Sequence, residues 1–318
     1  MTDAFAESLA VVVLPAVGGG RLENLALRRW LARTDLQQAS APGELLSAIL
    51  KALNLPHPDT ALGALRMWGQ TGERPTVWIA AADPVYLEPR LDHLCLHALG
   101  RASLPAGDLR ALFDHLQNTV TDGAKYSFVT VGTCSYLRAS ESIATAAVPP
   151  YVVHLDKPNE YMPTGPDAAA YRRLVSEVEM ALHEHEINTR RESEGLPPIN
   201  CLWFWGGGYA PEQRAQPHPP LFADDPLLRG YWLSKLAPAR SWPGSIAACL
   251  DESSTGFVAV APPDDDPQLL MSCLQELRRA LRSGRLSRLQ LIFRDGVEAD
   301  ILRQHSWRIW RRNTERLN

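Results

Sequence analysis

Continuous apolar runs alternate with segments of helical periodicity along most of this chain. Residues 9–17 form an unbroken apolar run that ends in three glycines, which predicts a buried strand of the parallel type leading into a loop. Residues 167–185 and 269–282 repeat apolar side chains at helical spacing and predict long amphipathic helices. Shorter patterns predict strands at 76–81, 126–131, 201–205 and 256–261, and helices at 22–32, 45–55, 60–68 and 105–120. The alternation predicts an α/β fold.

A hairpin is predicted near the C-terminus. The pair Asp295-Gly296 separates two strand-like runs, and Asp-Gly at such a place is typical of a tight turn between antiparallel strands. We therefore expect residues 288–303 to form a hairpin that pairs with the main sheet. Trp307 and Trp310 follow, and the large apolar area of two indole rings predicts that both are at least partly buried.

The composition is that of a globular protein, with 318 residues, 45% hydrophobic and 21% charged, long enough for one large or two medium domains. A net charge of -4 does not mark the whole chain as a nucleic-acid binder. No apolar run approaches the length of a membrane span, and the N-terminal run lacks the basic residues of a signal peptide. Five scattered cysteines without a C-x-x-C pair disfavour a disulfide framework or a zinc site. These features predict a cytoplasmic protein with no membrane contact.

Charge is distributed unevenly along the chain. From Gln275 to the C-terminus there are eleven arginines against five acidic residues, and residues 305–312 interleave arginine with tryptophan. One interpretation is a surface for nucleic acid or for an acidic partner. The other, which we expect, is a solvated face that packs back on the acidic remainder of the chain, so nucleic acid is not an expected partner.

The segment from His183 to Gly208 combines a helical pattern that ends at Gly195, two prolines, an aromatic strand and three glycines. It resembles a motif of archaeal-type cofactor-independent phosphoglycerate mutases that reads roughly HPVNxxRxxxGxxPANxxWLWGxG. The positions that match are His185, Asn188, Arg191, Gly195, Pro198, Asn200, Trp203, Trp205, Gly206 and Gly208. The departures are Glu186, Ile187, Ile199 and Phe204.

This resemblance implies a two-part architecture. In that family an alkaline-phosphatase-like α/β core domain is interrupted by a smaller inserted α/β domain, and a serine and two divalent metals transfer a phosphoryl group. Applied to this chain, residues 1–75 and 209–318 would form the discontinuous core domain. Residues 76–208 would form the inserted domain that carries the motif.

The chain departs from the family where the chemistry would be. Residues 14–19 read LPAVGG where the first metal-binding Asp would stand, and Gly43 falls where the nucleophilic serine belongs. Residues 258–268 carry acids but no following histidine, and Phe293–Gly296 replaces an Asp-His pair. A two-metal site needs Asp and His ligands around an activated nucleophile. We therefore predict no catalytic residue, no metal and no cofactor.

The motif itself has two interpretations. The structural one makes Gly195 a helix C-terminal residue and buries at least one of the two tryptophans. The functional one places its polar residues at the mouth of a cleft between two domains, with Arg191 holding a carboxylate or phosphate and the glycine amides forming an anion-binding nest. Its candidates are His185, Asn188, Arg191, Asn200, Gly206, Gly207 and Gly208.

Two further sets of side chains are candidates for a site. Arg138, His154 and Asp156 resemble an Arg and a Pro-His-Asp sequence of the same enzymes and could face one pocket, although a lone histidine at a strand end is more often structural. His93 and His97 have i, i+4 spacing and could hold a metal if their segment were helical. No third ligand is evident for that pair.

A bacterial family fits the whole length better than the archaeal enzymes do. Regulatory proteins of the RpfE type, often labelled phosphoglycerate mutase by similarity, resemble this chain in the signature at 200–208 and in the C-terminal Trp310-Arg311-Arg312. The resemblance implies a non-catalytic regulatory pseudoenzyme that binds a small phosphorylated or carboxylated ligand or a protein partner. The alternatives are a phosphoryl-transfer enzyme with a rebuilt site and, third, a nucleic-acid binder.

Overall fold

A computed structural model describes residues 8–38, 44–100, 104–120, 125–183, 185–253, 255–263 and 266–307. The chain divides into two compact units, one formed by Met1–His57 with Gln213–Asn318 and the other by Pro58–Glu212. Both units contain helices and a sheet, so the fold is α/β, with a discontinuous first unit interrupted by an inserted second unit. Within the described residues, no helix is long and apolar enough to cross a membrane.

Strands and helices are interspersed along both units. The strands are β1 (Leu9–Leu14), β2 (Asp35–Gln38), β3 (Trp78–Pro89), β4 (Leu94–Ala98), β5 (Tyr126–Val131), β6 (Cys134–Ala139), β7 (Cys201–Gly208), β8 (Leu221–Phe222), β9 (Ala239–Arg240), β10 (Gly256–Val260), β11 (Arg288–Phe293) and β12 (Val297–Leu302). The helices are α1 (Leu25–Ala32), α2 (Leu45–Ala52), α3 (Leu62–Thr71), α4 (Ala106–Thr119), α5 (Ala168–Leu182), α6 (Glu186–Ser193), α7 (Pro226–Ser234), α8 (Ile246–Glu252) and α9 (Pro267–Ser283).

The first unit is built on a seven-stranded sheet in the order β2-β12-β11-β1-β10-β8-β9. Strand β1 lies at its centre and pairs in parallel with β10 and β11. Both faces of β1 are covered, which explains why its sequence is continuously apolar rather than alternating. Helix α9 begins with Asp266, whose side chain accepts from the Gln268 N–H, and ends at Gly284 in the left-handed conformation.

The predicted C-terminal hairpin is confirmed. Strands β11 and β12 pair antiparallel, and Gly296 in the turn has a φ of 84° that favours glycine. The Arg288 guanidinium donates two hydrogen bonds, at 3.0 and 2.7 Å, to the Asp300 carboxylate on the facing strand. β12 also pairs with β2, so the hairpin is part of the main sheet. The side chain of Trp307 and all of Trp310 lie outside the described residues.

The second unit contains a five-stranded sheet. Four of its strands follow the order β4-β3-β6-β5, and the fifth, β7, pairs antiparallel with residues 79–85 of the long strand β3. Helix α3 packs against β3 and β7. Gly63 makes this close packing possible, because a Cβ there would lie 2.4 Å from the Ala81 nitrogen. Residues 58–75 and 209–212, which were expected in the core domain, group with the second unit.

Three predicted elements differ from the observed ones. The helix expected at 167–185 ends at Leu182, and a separate helix, α6, begins after its N-cap residue His185. The strand expected at 76–81 extends through Pro84 to Pro89. The segment around His97, for which a helix was one possibility, is strand β4, whose partner is β3.

Candidate functional site

The polar residues of the motif close the turn between α5, α6 and β7. His185 starts α6, and its Nδ1 accepts a hydrogen bond of 3.2 Å from the Ile187 N–H. The Asn188 side chain is buried; its amide donates to the carbonyls of Leu182 and Ile199 and its oxygen accepts from the Ile199 N–H at 2.7 Å. Both side chains therefore provide hydrogen-bond partners for backbone N–H and C=O groups that would have none where the helix is interrupted.

Arg191 and Asn200 have similar roles. The Arg191 Nε donates to the Pro197 carbonyl at 2.9 Å, and burial lowers the pKa of this guanidinium. The Asn200 side chain accepts from the Leu87 N–H at 2.8 Å and donates to the Leu87 carbonyl at 2.9 Å, which joins the start of β7 to β3. Both side chains therefore stabilise the local structure of the motif.

Gly206 and Gly208 let the start of α3 approach β7, and Gly207 leaves room for the Trp78 ring. A Cβ on Gly208 would lie 2.8 Å from the Ala61 Cα, and one on Gly207 would lie 2.3 Å from the Trp78 ring. The Gly206 N–H donates to the Ala146 carbonyl at 2.8 Å, and the Gly207 N–H donates to the Thr145 Oγ1 at 3.0 Å. Both amides are therefore engaged within the unit rather than directed at an anion.

Trp205 of the motif takes part in a buried polar network. Its Nε1 donates to the Asp83 carboxylate at 2.7 Å, and Arg66 NH1 donates to both oxygens of that carboxylate at 2.7 and 2.9 Å. Arg66 is 4% exposed and also donates to the Ser135 carbonyl, while its guanidinium lies 4.8 Å from the Tyr136 ring centroid. Burial alone would lower the pKa of Arg66, but the Asp83 carboxylate, Tyr136 and Cys134 together outweigh burial and raise this pKa.

His185 and Asn200 also line an open groove of about 900 Å³ on the second unit. Arg191 and the glycines are not among its lining residues. The rings of His185 and His115 lie 4.7 Å apart, and burial together with His115 lowers the pKa of His185. Glu179 also lines the groove, and burial raises the pKa of its carboxyl group. Of the motif's candidate residues, the groove therefore brings together His185 and Asn200.

His154 and Asp156 lie on one turn next to β4. The His154 Nδ1 accepts from the Ala98 N–H at 3.1 Å, and burial and then His97 lower the pKa of this imidazole. The Asp156 carboxylate accepts from the Lys157 N–H at 2.7 Å and from the Tyr161 hydroxyl at 3.1 Å. Both side chains therefore stabilise the turn locally.

Arg138 lies away from His154 and Asp156. It is exposed on β6, where it pairs with Ile79 of β3, whereas Ala98, the partner of His154, pairs with Val85. Six residues of extended strand separate these two positions on β3, which at about 3.3 Å per residue amounts to about 20 Å. The structure does not place Arg138 and His154 in one pocket.

In the first unit, the carboxyl ends of the parallel strands are where α/β folds usually bind ligands. Asp295 follows β11, and its Oδ2 accepts from the N–H groups of Val17 and Gly18 at 2.8 and 2.7 Å. Arg294 NH2 donates to the Ala261 carbonyl at 3.1 Å. A carboxylate of the chain itself therefore engages the backbone amides after β1. Gly43, Asp264 and Asp265 lie outside the described residues.

A basic pocket of about 490 Å³ lies elsewhere on the first unit, between α1, α9 and the end of β12. Among the described residues, its lining contains five arginines and no acidic side chain. The arginines are Arg29, Arg33, Arg278, Arg282 and Arg303, and the other lining residues are Ala26, Trp30, Leu281 and Leu302. The arginine-rich C-terminal part is evident in the sequence, but the two arginines that α1 adds to the same surface were not predicted.

Arg278 and Arg282 stand four residues apart on α9, and Arg29 of α1 stands four residues before Arg33, which caps the end of that helix. Like charges at that spacing destabilise a helix by a few tenths of a kcal/mol, about 0.2–0.5 per pair. Burial, followed by the charges of Arg282 and Arg33, lowers the pKa of Arg278, whose guanidinium lies 5.9 Å from the Trp30 ring centroid. A guanidinium group can donate two parallel hydrogen bonds to two oxygens of one phosphate or carboxylate, so the pocket is suited to an anion.

No protein-family model matches the chain. A part of it is similar to the 2,3-bisphosphoglycerate-independent phosphoglycerate mutase of Methanosarcina mazei, with 35% identity over 68 residues, which are 21% of this chain and 17% of that protein. The enzyme of the same name from Methanothrix thermoacetophila is 30% identical over 99 residues, which are 31% of this chain and 24% of that protein. The matched stretches thus span about a quarter or less of these relatives.

Among solved structures, the cofactor-independent phosphoglycerate mutase of Thermoplasma acidophilum aligns with 92% of this chain and 89% of its own, at 17% identity and a TM-score of 0.42. The sequence similarity to phosphoglycerate mutases concerns about a third of this chain or less. Over that part, the chain is similar to phosphoglycerate mutases that work without a bisphosphoglycerate cofactor.

Proposed function

We propose that this chain is a non-catalytic, regulatory protein of the phosphoglycerate-mutase type that binds a small phosphorylated or carboxylated molecule. The partial similarity to phosphoglycerate mutases supports the type. The departures from the family pattern at the serine and metal-ligand positions support the absence of catalysis. The regulatory proteins of the RpfE type are the group with which this proposal agrees best.

The basic pocket is the single observation that carries the ligand class. Five arginines are among the described residues that line it, although the chain as a whole has a net charge of -4. A bound anion would reduce the repulsion between Arg278 and Arg282, which stand four residues apart on α9. The volume of about 490 Å³ falls in the range of small-molecule sites, which is about 300–1,000 Å³.

The shape of the pocket favours a ligand with an anionic and an apolar part. Arg282 and Arg303 are exposed and could reach the anionic groups from the solvent side, while Trp30 is 8% exposed and lies beneath Arg278. A phosphate or carboxylate would contact the guanidinium groups, and a carbon skeleton would contact Trp30 and Leu281.

Asp295 has a structural role at the strand ends of the first unit. Asp295 is the carboxylate that the described residues place after β11, and two backbone N–H groups already engage it. Such hydrogen bonds orient the carboxylate towards the loop at Val17 and Gly18 and thereby fix that loop. The residue acts as a structural bridge in this arrangement.

The proposal is tested by calorimetric titration of the full chain with pyrophosphate and with citrate. We expect binding of both anions that weakens as salt is added, because ions screen charge interactions at a partly exposed site. Replacing Arg282 with glutamine should lower the affinity about tenfold or more, since hydrogen bonds to charged groups contribute about 1.5–3 kcal/mol.

The matched control is Arg279→Gln. Arg279 is an exposed neighbour of the pocket residues on α9, but it does not line the pocket. The substitution removes the same charge from the same helix and should leave the affinity unchanged within about twofold. Equal losses in the two variants would mean a diffuse attraction rather than a site, and no binding by the unaltered chain would overturn the ligand class.

A further inference from the structure

We propose that Glu88, Cys95 and His97 form a binding site for one divalent transition metal ion of the zinc class. The carboxylate, thiol and imidazole atoms of these residues all lie within 4.8 Å of one another. The site belongs to the second unit, whereas the basic pocket belongs to the first, so the two proposals are independent. None of the three residues stands at a position where a phosphatase-type metal ligand was expected.

The pairing of β3 with β4 explains why the three side chains meet. In the antiparallel register Glu88 lies directly opposite Cys95, and Tyr86 lies opposite His97. Side chains two apart on a strand point to the same face, so all four residues share one face of the hairpin. Facing pairs on adjacent strands have Cβ atoms about 4.5–5.5 Å apart, which is a suitable distance for several ligands of one ion.

The ligand types fit zinc. A carboxylate oxygen, a thiolate and an imidazole nitrogen are the protein ligands that zinc takes, at about 2.0–2.3 Å. Two ligands of one ion at those distances lie at most about 4.6 Å apart, so the observed spread within 4.8 Å needs only small side-chain adjustments. The soft sulfur disfavours magnesium and calcium, which prefer oxygen ligands.

The site is already organised by a hydrogen bond. The His97 Nε2 and the Glu88 Oε2 lie 2.7 Å apart, and Arg90 also contacts this carboxylate oxygen at 2.7 Å. A metal ion would replace the proton between the imidazole and the carboxylate. Cys95 would then lose its thiol proton and His97 would carry its proton on Nδ1, as binding of a metal to such ligands requires.

Within the described part of the chain the cluster has three ligands, and a fourth position would be left to solvent. His154 is the nearest additional candidate, because its ring is perpendicular to that of His97 at 6.0 Å. Its Nδ1 accepts from the Ala98 N–H, so the ring proton is on Nε2 and that nitrogen is not available to a metal in this tautomer. Since the side chains of Glu88 and His97 are 29% and 26% exposed, water can complete the coordination.

Titration of the metal-free full chain with Co²⁺ tests this site, because cobalt reports its ligands by absorption. We expect one ion per chain with a thiolate-to-cobalt charge-transfer band, visible bands of tetrahedral strength, and loss of both on addition of Zn²⁺. Cys95→Ser should abolish the thiolate band. Glu88→Gln and His97→Gln should keep this band but lower the affinity by more than the about 10–100-fold that loss of an outer-shell partner costs.

The control is Cys134→Ser, which removes another buried cysteine of the same unit that lies outside the cluster. It should leave the cobalt spectrum unchanged. Absence of a thiolate band in the unaltered chain, or a band that persists in Cys95→Ser, would overturn the proposal. If Cys95→Ser does not fold, the cobalt affinities of Glu88→Gln and His97→Gln test the site instead. An affinity equal to that of the unaltered chain in both variants would overturn the proposal.

Discussion

Truncation of the chain after Gly284 is expected to unfold the first unit rather than to remove a separable tail. The deletion takes away β11, which pairs with the central strand β1, together with β12. Their large buried apolar residues are Leu289, Leu291, Ile292, Phe293, Val297 and Ile301. Each contributes about 1.5–3 kcal/mol, so their sum of about 9–18 kcal/mol matches or exceeds the about 5–15 kcal/mol by which a typical domain is stable.

Hydrogen exchange measures this effect directly. In the full chain we expect slow exchange of the β1 amides, because this strand is buried and paired on both sides. In the truncated chain the same amides should exchange rapidly. If the truncated chain keeps the protection of β1 and loses only a binding partner, then the C-terminal segment is a recognition arm and the sheet does not depend on it.

Replacement of Asp83 by asparagine should be the most destabilising single polar substitution in the second unit. It leaves the Arg66 guanidinium buried without its counter-charge and weakens the hydrogen bond from Trp205. Removing one partner of a buried ion pair typically costs about 3–5 kcal/mol. Urea-induced unfolding, followed by tryptophan fluorescence, should show a lower midpoint for the transition of this unit.

Glu177→Gln is the matched control for that substitution. Glu177 accepts from Arg173 on the surface of α5, and the Arg173 side chain is 80% exposed. Exposed pairs at this spacing contribute about 0.3–0.5 kcal/mol, so the midpoint should hardly move. Equal shifts in the two variants would show that the Arg66–Asp83 pair does not stabilise the unit more than a surface pair does.

The parts of the fold with a strong local signal could be predicted. The apolar run of β1 and the Asp295-Gly296 turn each specify their own structure, and both are found as expected. The break between α5 and α6 was missed because the helical pattern runs through it. The Asn188 amide donates to the Leu182 carbonyl at the end of α5, and His185 Nδ1 accepts from the Ile187 N–H at the start of α6. The apolar pattern does not record these hydrogen bonds.

The candidate sites could be predicted only in part. The motif was recognised from its residues, but whether Asn188 and Arg191 bind a ligand or the backbone depends on their contacts in the folded chain. The basic pocket joins Arg29 to Arg282, which are far apart in sequence, and no local pattern shows that α1 and α9 adjoin. In the same way, the sequence showed no third ligand beside His97, because Glu88 reaches it only through strand pairing.

Mutase activity is the measurement that bears most directly on the central claim, which is that the chain binds anions without phosphoryl transfer. The full chain would be incubated with 3-phosphoglycerate and added Mn²⁺ or Co²⁺, and formation of 2-phosphoglycerate would be followed by coupling to enolase. We predict a rate no higher than that of a blank with metal alone, from the same preparation that binds pyrophosphate in calorimetry. A rate that rises in proportion to the protein and disappears when the protein is removed would contradict the account.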